Sequence, residues 1–208
     1  MSKNRLETFA DGVFAIAATL LVVRVSADAP GGALGEALRH GWTQYAAYVL
    51  SFVMIGTWWV NHHAFMAVMD RVDRPFLLAN IAFLICVGFL PFPTHLVAEH
   101  FHDDGLRAAV LTYGLTLTAA ALCMSILWFH AARGRRLIAE SADQAVVDRH
   151  SRDVRMGVPA CATATLIAIW SPFATLAIIA AAALFYLFGS SFLERHHAST
   201  GSPPVGSS

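Results

Sequence analysis

RLETFADGVFAIAATLLVVRV, running from Arg5 to Val25, is the stretch whose reading decides the fold. It opens with charged residues, Arg5 and Glu7, carries one further carboxylate, Asp11, about two turns in, and continues as an apolar run from Gly12 to Val23. With its flanks the run reaches the roughly 20 residues a helix needs to cross a bilayer. Ile16, Leu20 and Val23 fall at i, i+4 and i+7, along one face of that helix.

The rest of the chain agrees with this reading. Of 208 residues, 57% are hydrophobic and 13% charged, against about 25% charged in soluble domains. The mean hydropathy is +0.57. These values describe an all-α integral membrane protein. The N-terminal run is too long for a cleaved signal peptide and has no small-residue cleavage site, so it is expected to stay as the first membrane helix. Cys86, Cys123 and Cys161 all lie in apolar runs and read as small buried hydrophobes, with no disulfide framework or CxxC pattern. No basic patch is interleaved with aromatics, so no nucleic-acid partner is expected.

Breakers divide the chain into six expected spans. The first ends near Val25, followed by a Pro- and Gly-containing loop from Ser26 to Gly35. The second covers about Trp42 to Phe65 and is rich in aromatics. The third covers Phe76 to Val97, with Pro91 and Pro93 kinking or ending it. The fourth covers Leu106 to Phe129. A polar stretch from Arg133 to Arg155 follows, whose middle, Leu137 to Val147, reads as a short surface helix. Ser171-Pro172 then splits the remaining apolar segment into a fifth span, Met156 to Trp170, and a sixth, Phe173 to Phe188. A six-helix domain over 1–197 and a disordered tail over 198–208 are expected.

Six crossings put both termini on one side. Of the 14 lysines and arginines, Lys3, Arg5, Arg71, Arg74, the group from Arg133 to Arg155 and Arg195 fall on the side of the termini. Arg24, Arg39 and Arg107 fall on the other. The positive-inside rule makes both termini cytoplasmic.

Few residues carry candidate chemistry. Asp11 at the entrance of a spanning helix costs free energy unless it is paired or wet. Headgroup-level capping and a buried polar network both remain open for it. Asn61, His62 and His63 sit at the same depth on the second helix and are candidate hydrogen-bond partners, while an interfacial aromatic and histidine belt is the plainer reading. A metal site is not expected there, because adjacent histidines point about 100° apart on a helix. His95, His100 and His102 read as solvated loop residues. GxSxG, P-loop, GxGxxG and paired intramembrane aspartates are all missing, so neither an enzyme nor a cofactor is implied. The Ile16, Leu20, Val23 stripe reads ordinarily as packing or lipid contact. The sharper alternative is a hydrophobic pore constriction formed when several copies meet, with Thr19 as a nearby hydroxyl.

Two motifs extend this reading. Arg5, Phe9, Ala10 and Asp11, followed by Gly12 to Ile16, resemble the first-helix signature of the transmembrane protein 175 family, in its bacterial single-repeat form. Trp58, Asn61, His62 and His63 resemble that family's second-helix segment. The resemblance implies a potassium-permeable channel built as a homotetramer, whose first helices line the pore. By position, Ile16, Leu20 and Val23 would form the constriction and Thr19 would supply a polar lining group. Arg5, Phe9 and Asp11 would hold the first helix near Trp58, Asn61 and His62 of the second. Ala10 departs from the family, where a serine stands. Potassium ions, the lipid bilayer and three further copies of the chain are the implied partners. A proton-coupled secondary transporter using Asp11 and His62 is the alternative, and a non-transporting scaffold is a third reading.

Overall fold

The computed structural model describes the backbone of residues 2–23, 25 and 34–199, and the side chains of those up to 185. The described residues form α1 (Lys3–Val23), α2 (Leu34–His40), α3 (Trp42–Ala67), α4 (Arg74–Phe89), α5 (Pro91–Glu99), α6 (Leu106–Ala132), α7 (Gln144–Ile167) and α8 (Pro172–Ser199). Of the loop expected from Ser26 to Gly35, residues 26–33 lie outside the described residues, while Leu34 and Gly35 open α2; of the tail expected over 198–208, residues 200–208 lie outside them, while Ala198 and Ser199 continue α8.

Three helices are long and apolar enough to cross a membrane by length and composition: Lys3–Val23, Arg74–Glu99 taken across its internal break, and Leu106–Arg135. Pro172–Phe185 is a shorter apolar helix. The 26 residues of α3 are as long as these, but its Trp, Tyr, Asn and His residues lower its mean hydropathy.

Local chemistry sets the helix boundaries. Asp73 caps α4 by accepting the Phe76 N–H at 2.9 Å, with Pro75 in the first turn, where a missing donor costs nothing. The turn at Leu90 separates α4 from α5. Pro91 has no N–H to give the Val87 carbonyl, which takes the Leu90 N–H at 3.2 Å instead.

The centre of the bundle is α6. It packs on α4 and α5 along one side and α7 along another, while α1 lies across α3 and α4. Phe65, Phe76, Phe83, Val87, Val110, Tyr113, Leu127 and Trp128 are buried in the resulting core. Buried hydroxyls there are satisfied internally. Ser51 bonds Tyr113 at 3.0 Å and accepts from Thr94 at 2.8 Å. Such pairing is needed where no water competes.

Two expectations about the linker between α6 and α7 are corrected. Leu137 to Val147 is not a surface helix. Gly134 and Arg135 both take positive φ, 61° and 54°, and turn the chain back against the end of α3. There Leu137 and Ile138 are buried, with Asp70 N–H donating to Leu137 and Ala139 N–H to Val68, each at 3.0 Å. Two apolar side chains with somewhere to bury outweigh the helical propensity of the segment. Nor does the fifth helix begin at Met156. It begins at Gln144, capped by Asp143, and runs through the polar segment into the apolar one without a break. The last helix likewise continues to Ser199, past the expected end at Phe188.

Helices α6 and α7 approach closely at Gly114. A Cβ there would lie 2.6 Å from Thr165 Oγ1. That hydroxyl donates to the Cys161 carbonyl at 2.7 Å and meets Thr118 Oγ1 at 3.1 Å, so it cannot turn away freely. Gly114→Ala is expected to destabilise the protein by about 1–3 kcal/mol, read as a lower melting temperature in detergent. Adding Thr165→Ala should recover most of the loss. An unchanged melting temperature for Gly114→Ala would contradict this contact.

The Asp73 carboxylate also ties the linker down. It meets His130 Nε2 at 3.0 Å and Arg136 at 3.4 Å. Desolvation pushes its pKa up, but the Phe76 N–H, His130 and Arg136 together outweigh this and hold it below the usual carboxylate value. A depressed folded-state pKa gives stability that is present above the unfolded value, about 3.9, and lost as pH falls through the folded one. The wild type should therefore lose melting temperature between pH 5 and pH 3 more steeply than Asp73→Asn. Parallel curves for the two proteins would refute this role.

Candidate functional site: the two faces of the first helix

Helix α1 has one buried and one open face. Leu6, Ala10, Phe14, Ala17 and Leu21 follow the i+4, i+3 spacing of a helix and are buried against α3 and α4. Ile16, Leu20 and Val23 lie on the other side and are 60%, 45% and 72% exposed. In a single chain nothing covers that stripe. Thr19 is also on the open side, and its hydroxyl donates back to the Ile16 carbonyl at 2.9 Å. This leaves the oxygen lone pairs facing outward.

Three polar contacts fasten the N-terminal half of α1 to the end of α3. Lys3 Nζ donates to the Met69 carbonyl at 2.8 Å. Glu7 meets His63 Nδ1 at 3.2 Å. Asp11 accepts from Trp59 Nε1 at 2.9 Å. Asp11 is therefore paired, but with Trp59 and not with Asn61, His62 or His63. The register explains the pairing. The helices run antiparallel, so the deeper of Glu7 and Asp11, spaced i, i+4, meets the deeper of Trp59 and His63, also spaced i, i+4. That match of spacings is legible in the sequence and marks Glu7 and Trp59 as partners beside His63.

His62 points the other way, into the core. Its Nε2 bonds Asn80 Oδ1 of α4 at 2.8 Å, and its ring stacks on Phe83 at 5.9 Å and packs against Phe14 at 5.7 Å. Trp58 is buried beside it and meets Phe83 edge-on. A second layer thus joins α1, α3 and α4 through rings. Asn80 and Phe83 carry no sequence motif that would have marked them. Arg5 and Phe9 are exposed, and Arg5 makes no hydrogen bond or ion pair among the described residues. Asn61 is half-buried on the far side of α3. Ala10 is fully buried, so the position where a serine was expected packs as a methyl group.

This arrangement is a helix locked on one side and bare on the other. It holds an apolar stripe in a fixed orientation. Asp11 and His62 share no hydrogen bond, and no cluster of three metal-ligating side chains occurs among the described residues.

Residues 5–91 match the sequence profile of the family described as endosomal/lysosomal potassium channel TMEM175. A potassium channel of Streptomyces collinus is 42% identical over 144 residues, which cover 67% of this chain and 69% of that protein. The chain belongs to the TMEM175 family. A potassium channel of Chamaesiphon minutus is 38% identical over 74% of this chain and 78% of its own length. The crystal structure of a lysosomal potassium-selective channel TMEM175 homolog from Chamaesiphon minutus superposes with a TM-score of 0.81 at 31% identity. That match covers 90% of this chain and 97% of the other. Membership of TMEM175 places the protein among membrane ion channels and not among enzymes.

Proposed function

We propose that the protein is one subunit of a potassium-permeable channel in the bacterial cell membrane, with six crossings and cytoplasmic termini. In this reading four copies of α1 surround an axis, and Ile16, Leu20 and Val23 face it. The observation that carries the reading is the bare apolar stripe on a helix whose opposite face is locked into the core. A helix in lipid alone has no need of three polar anchors fixing its rotation. A pore-lining helix does, because turning it by one residue would swing the stripe out of the pore.

The mechanism follows from hydration. The stripe offers no carbonyl filter, so a cation passes an apolar ring partly stripped of water. Potassium holds its water less tightly than sodium, and the ring penalises it less. Thr19, one residue before Leu20, supplies lone pairs beside the ring. Outside, Glu99, Asp103 and Asp104 form an acidic loop that raises the local cation concentration. Trp59 and His63, through Asp11 and Glu7, together with the His62 and Phe83 layer, keep α1 in register. Arg5 and Phe9, exposed in one chain, would meet a neighbouring subunit.

The test is current from purified protein in planar bilayers under opposed potassium and sodium gradients. Unitary currents reversing toward the potassium potential are expected. Saturable flux driven by a pH gradient without unitary currents would instead favour the transporter reading.

A further inference from the structure

Where the loop between α3 and α4 meets the linker after α6, a crevice of about 730 Å³ opens, lined by Arg71 and Asp73 of the loop and by Arg135, Arg136 and Glu140 of the linker. The backbone bonds from Asp70 to Leu137 and from Ala139 to Val68 hold its two walls together. The crevice sits at the ends of two helices of membrane-crossing length. By length and composition, one span starts at Arg74 and another stops at Arg135. Phospholipid headgroups lie at the ends of such spans, just outside the hydrocarbon core.

The charges of the crevice divide into occupied and free groups. Arg135 donates to Gln144 Oε1 and to the Ala139 and Ala142 carbonyls, which makes it a clamp within the linker. Asp73 is taken up by the Phe76 N–H, His130 and Arg136. Arg71 donates through Nε alone, to the Arg136 carbonyl at 3.2 Å. That bond steadies its guanidinium, and neither terminal amino group has a partner among the described residues. Arg136 meets Asp73 at 3.4 Å through one terminal amino group, and its side chain is 63% exposed. Glu140 is exposed, and its carboxylate has no partner among the described residues. Exposed Arg74 and Arg133, next along the chain on either side, add positive charge. Free guanidinium donors therefore outnumber the one free carboxylate, and their planar forks match the oxygens of a phosphate.

We propose that this crevice binds the phosphate of an anionic phospholipid, with terminal N–H groups of Arg71 and Arg136 donating to its oxygens. Its place at the ends of two spans favours a lipid over a soluble phosphate. A lipid bound there continues into the bilayer through its acyl chains, while a soluble phosphate gains the arginines alone. Phosphatidylglycerol brings an uncompensated negative charge. Phosphatidylcholine brings its own cation beside the arginines, and that cation has no N–H to give Glu140. The site needs neither the fourfold assembly nor ion conduction.

The experiment titrates the full chain, in a non-ionic detergent at neutral pH, with phosphatidylglycerol, and reads native mass spectra and melting temperatures. Saturable binding of one phosphatidylglycerol per chain is expected, with little binding of phosphatidylcholine. Arg71→Gln and Arg136→Gln should each weaken binding about tenfold, with their unliganded melting temperatures as the folding control. Glu140→Gln should tighten binding about threefold, a gain that a folding defect does not produce. Sodium phosphate and glycerol 1-phosphate at the concentration of the lipid should not displace it. Displacement by either would overturn the assignment to a lipid and identify a soluble phosphate as the ligand. Absence of saturable binding, equal binding of phosphatidylcholine, unchanged affinity in both arginine variants, or no tightening in Glu140→Gln would overturn the proposal. No current is read, so this outcome is separate from that of the bilayer recordings.

Discussion

Ile16→Asn is expected to raise conductance and to cut the preference for potassium over sodium by roughly tenfold, equivalent to about 1.4 kcal/mol of differential dehydration. In the proposed pore, an amide at this position would replace part of the water that the apolar ring strips from a cation. It does so for both ions, which removes the basis of discrimination. Folding should be little affected, within about 0.5 kcal/mol, because Ile16 is 60% exposed in the subunit and packs on nothing that the change would leave empty. Leu20→Asn should act in the same direction. Reversal potentials under bi-ionic conditions measure the effect. A selectivity ratio equal to wild type in Ile16→Asn would remove this residue from the conduction path.

The largest expected effect on stability is at Trp128. It is fully buried near the C-terminal end of α6, where it meets Phe65 of α3 edge-on at 6.1 Å and His150 of α7 at 5.0 Å. Its Nε1 donates to Ser151 Oγ at 2.9 Å. Trp128→Ala opens a cavity where three helices meet, and such truncations cost about 3–5 kcal/mol. Ser151 still donates to the Val147 carbonyl at 2.8 Å, so the loss is one of packing more than of hydrogen bonding. Trp128→Phe keeps most ring contacts and gives up the Nε1 bond, about 1 kcal/mol. Melting temperatures in detergent should fall in the order wild type, Phe, Ala. Equal values for the Ala variant and wild type would contradict the packing described for this junction.

The elements readable in advance were those marked by local signals. The apolar run of α1 rests on its own composition, and the Pro91 break between α4 and α5 on one residue whose chemistry acts on the backbone beside it. What was not readable depends on distant residues. Leu137 and Ile138 turn away from a helix because the end of α3 offers them burial. The join of the polar segment after Gln144 to the apolar part of α7 crosses a composition boundary that looks like an element boundary. Asp11 was recognisable as a carboxylate needing a partner. Its choice of Trp59 over His62 is set by the antiparallel register of α1 and α3, which no single helix encodes. The Ile16, Leu20, Val23 spacing identified a stripe, but spacing cannot say whether a stripe is buried or bare. That followed from Phe14, Ala17 and Leu21 filling the core side.

The central claim is that α1 helices of neighbouring subunits share an axis with Ile16 facing it. The most direct measurement places Ile16→Cys in a background in which Cys86, Cys123 and Cys161 are replaced, and records currents while cadmium or silver ions are applied. Block of the current, together with disulfide-linked subunits on gels after mild oxidation, is the predicted result. A cysteine that neither cross-links nor changes the current when metal is added would contradict the account.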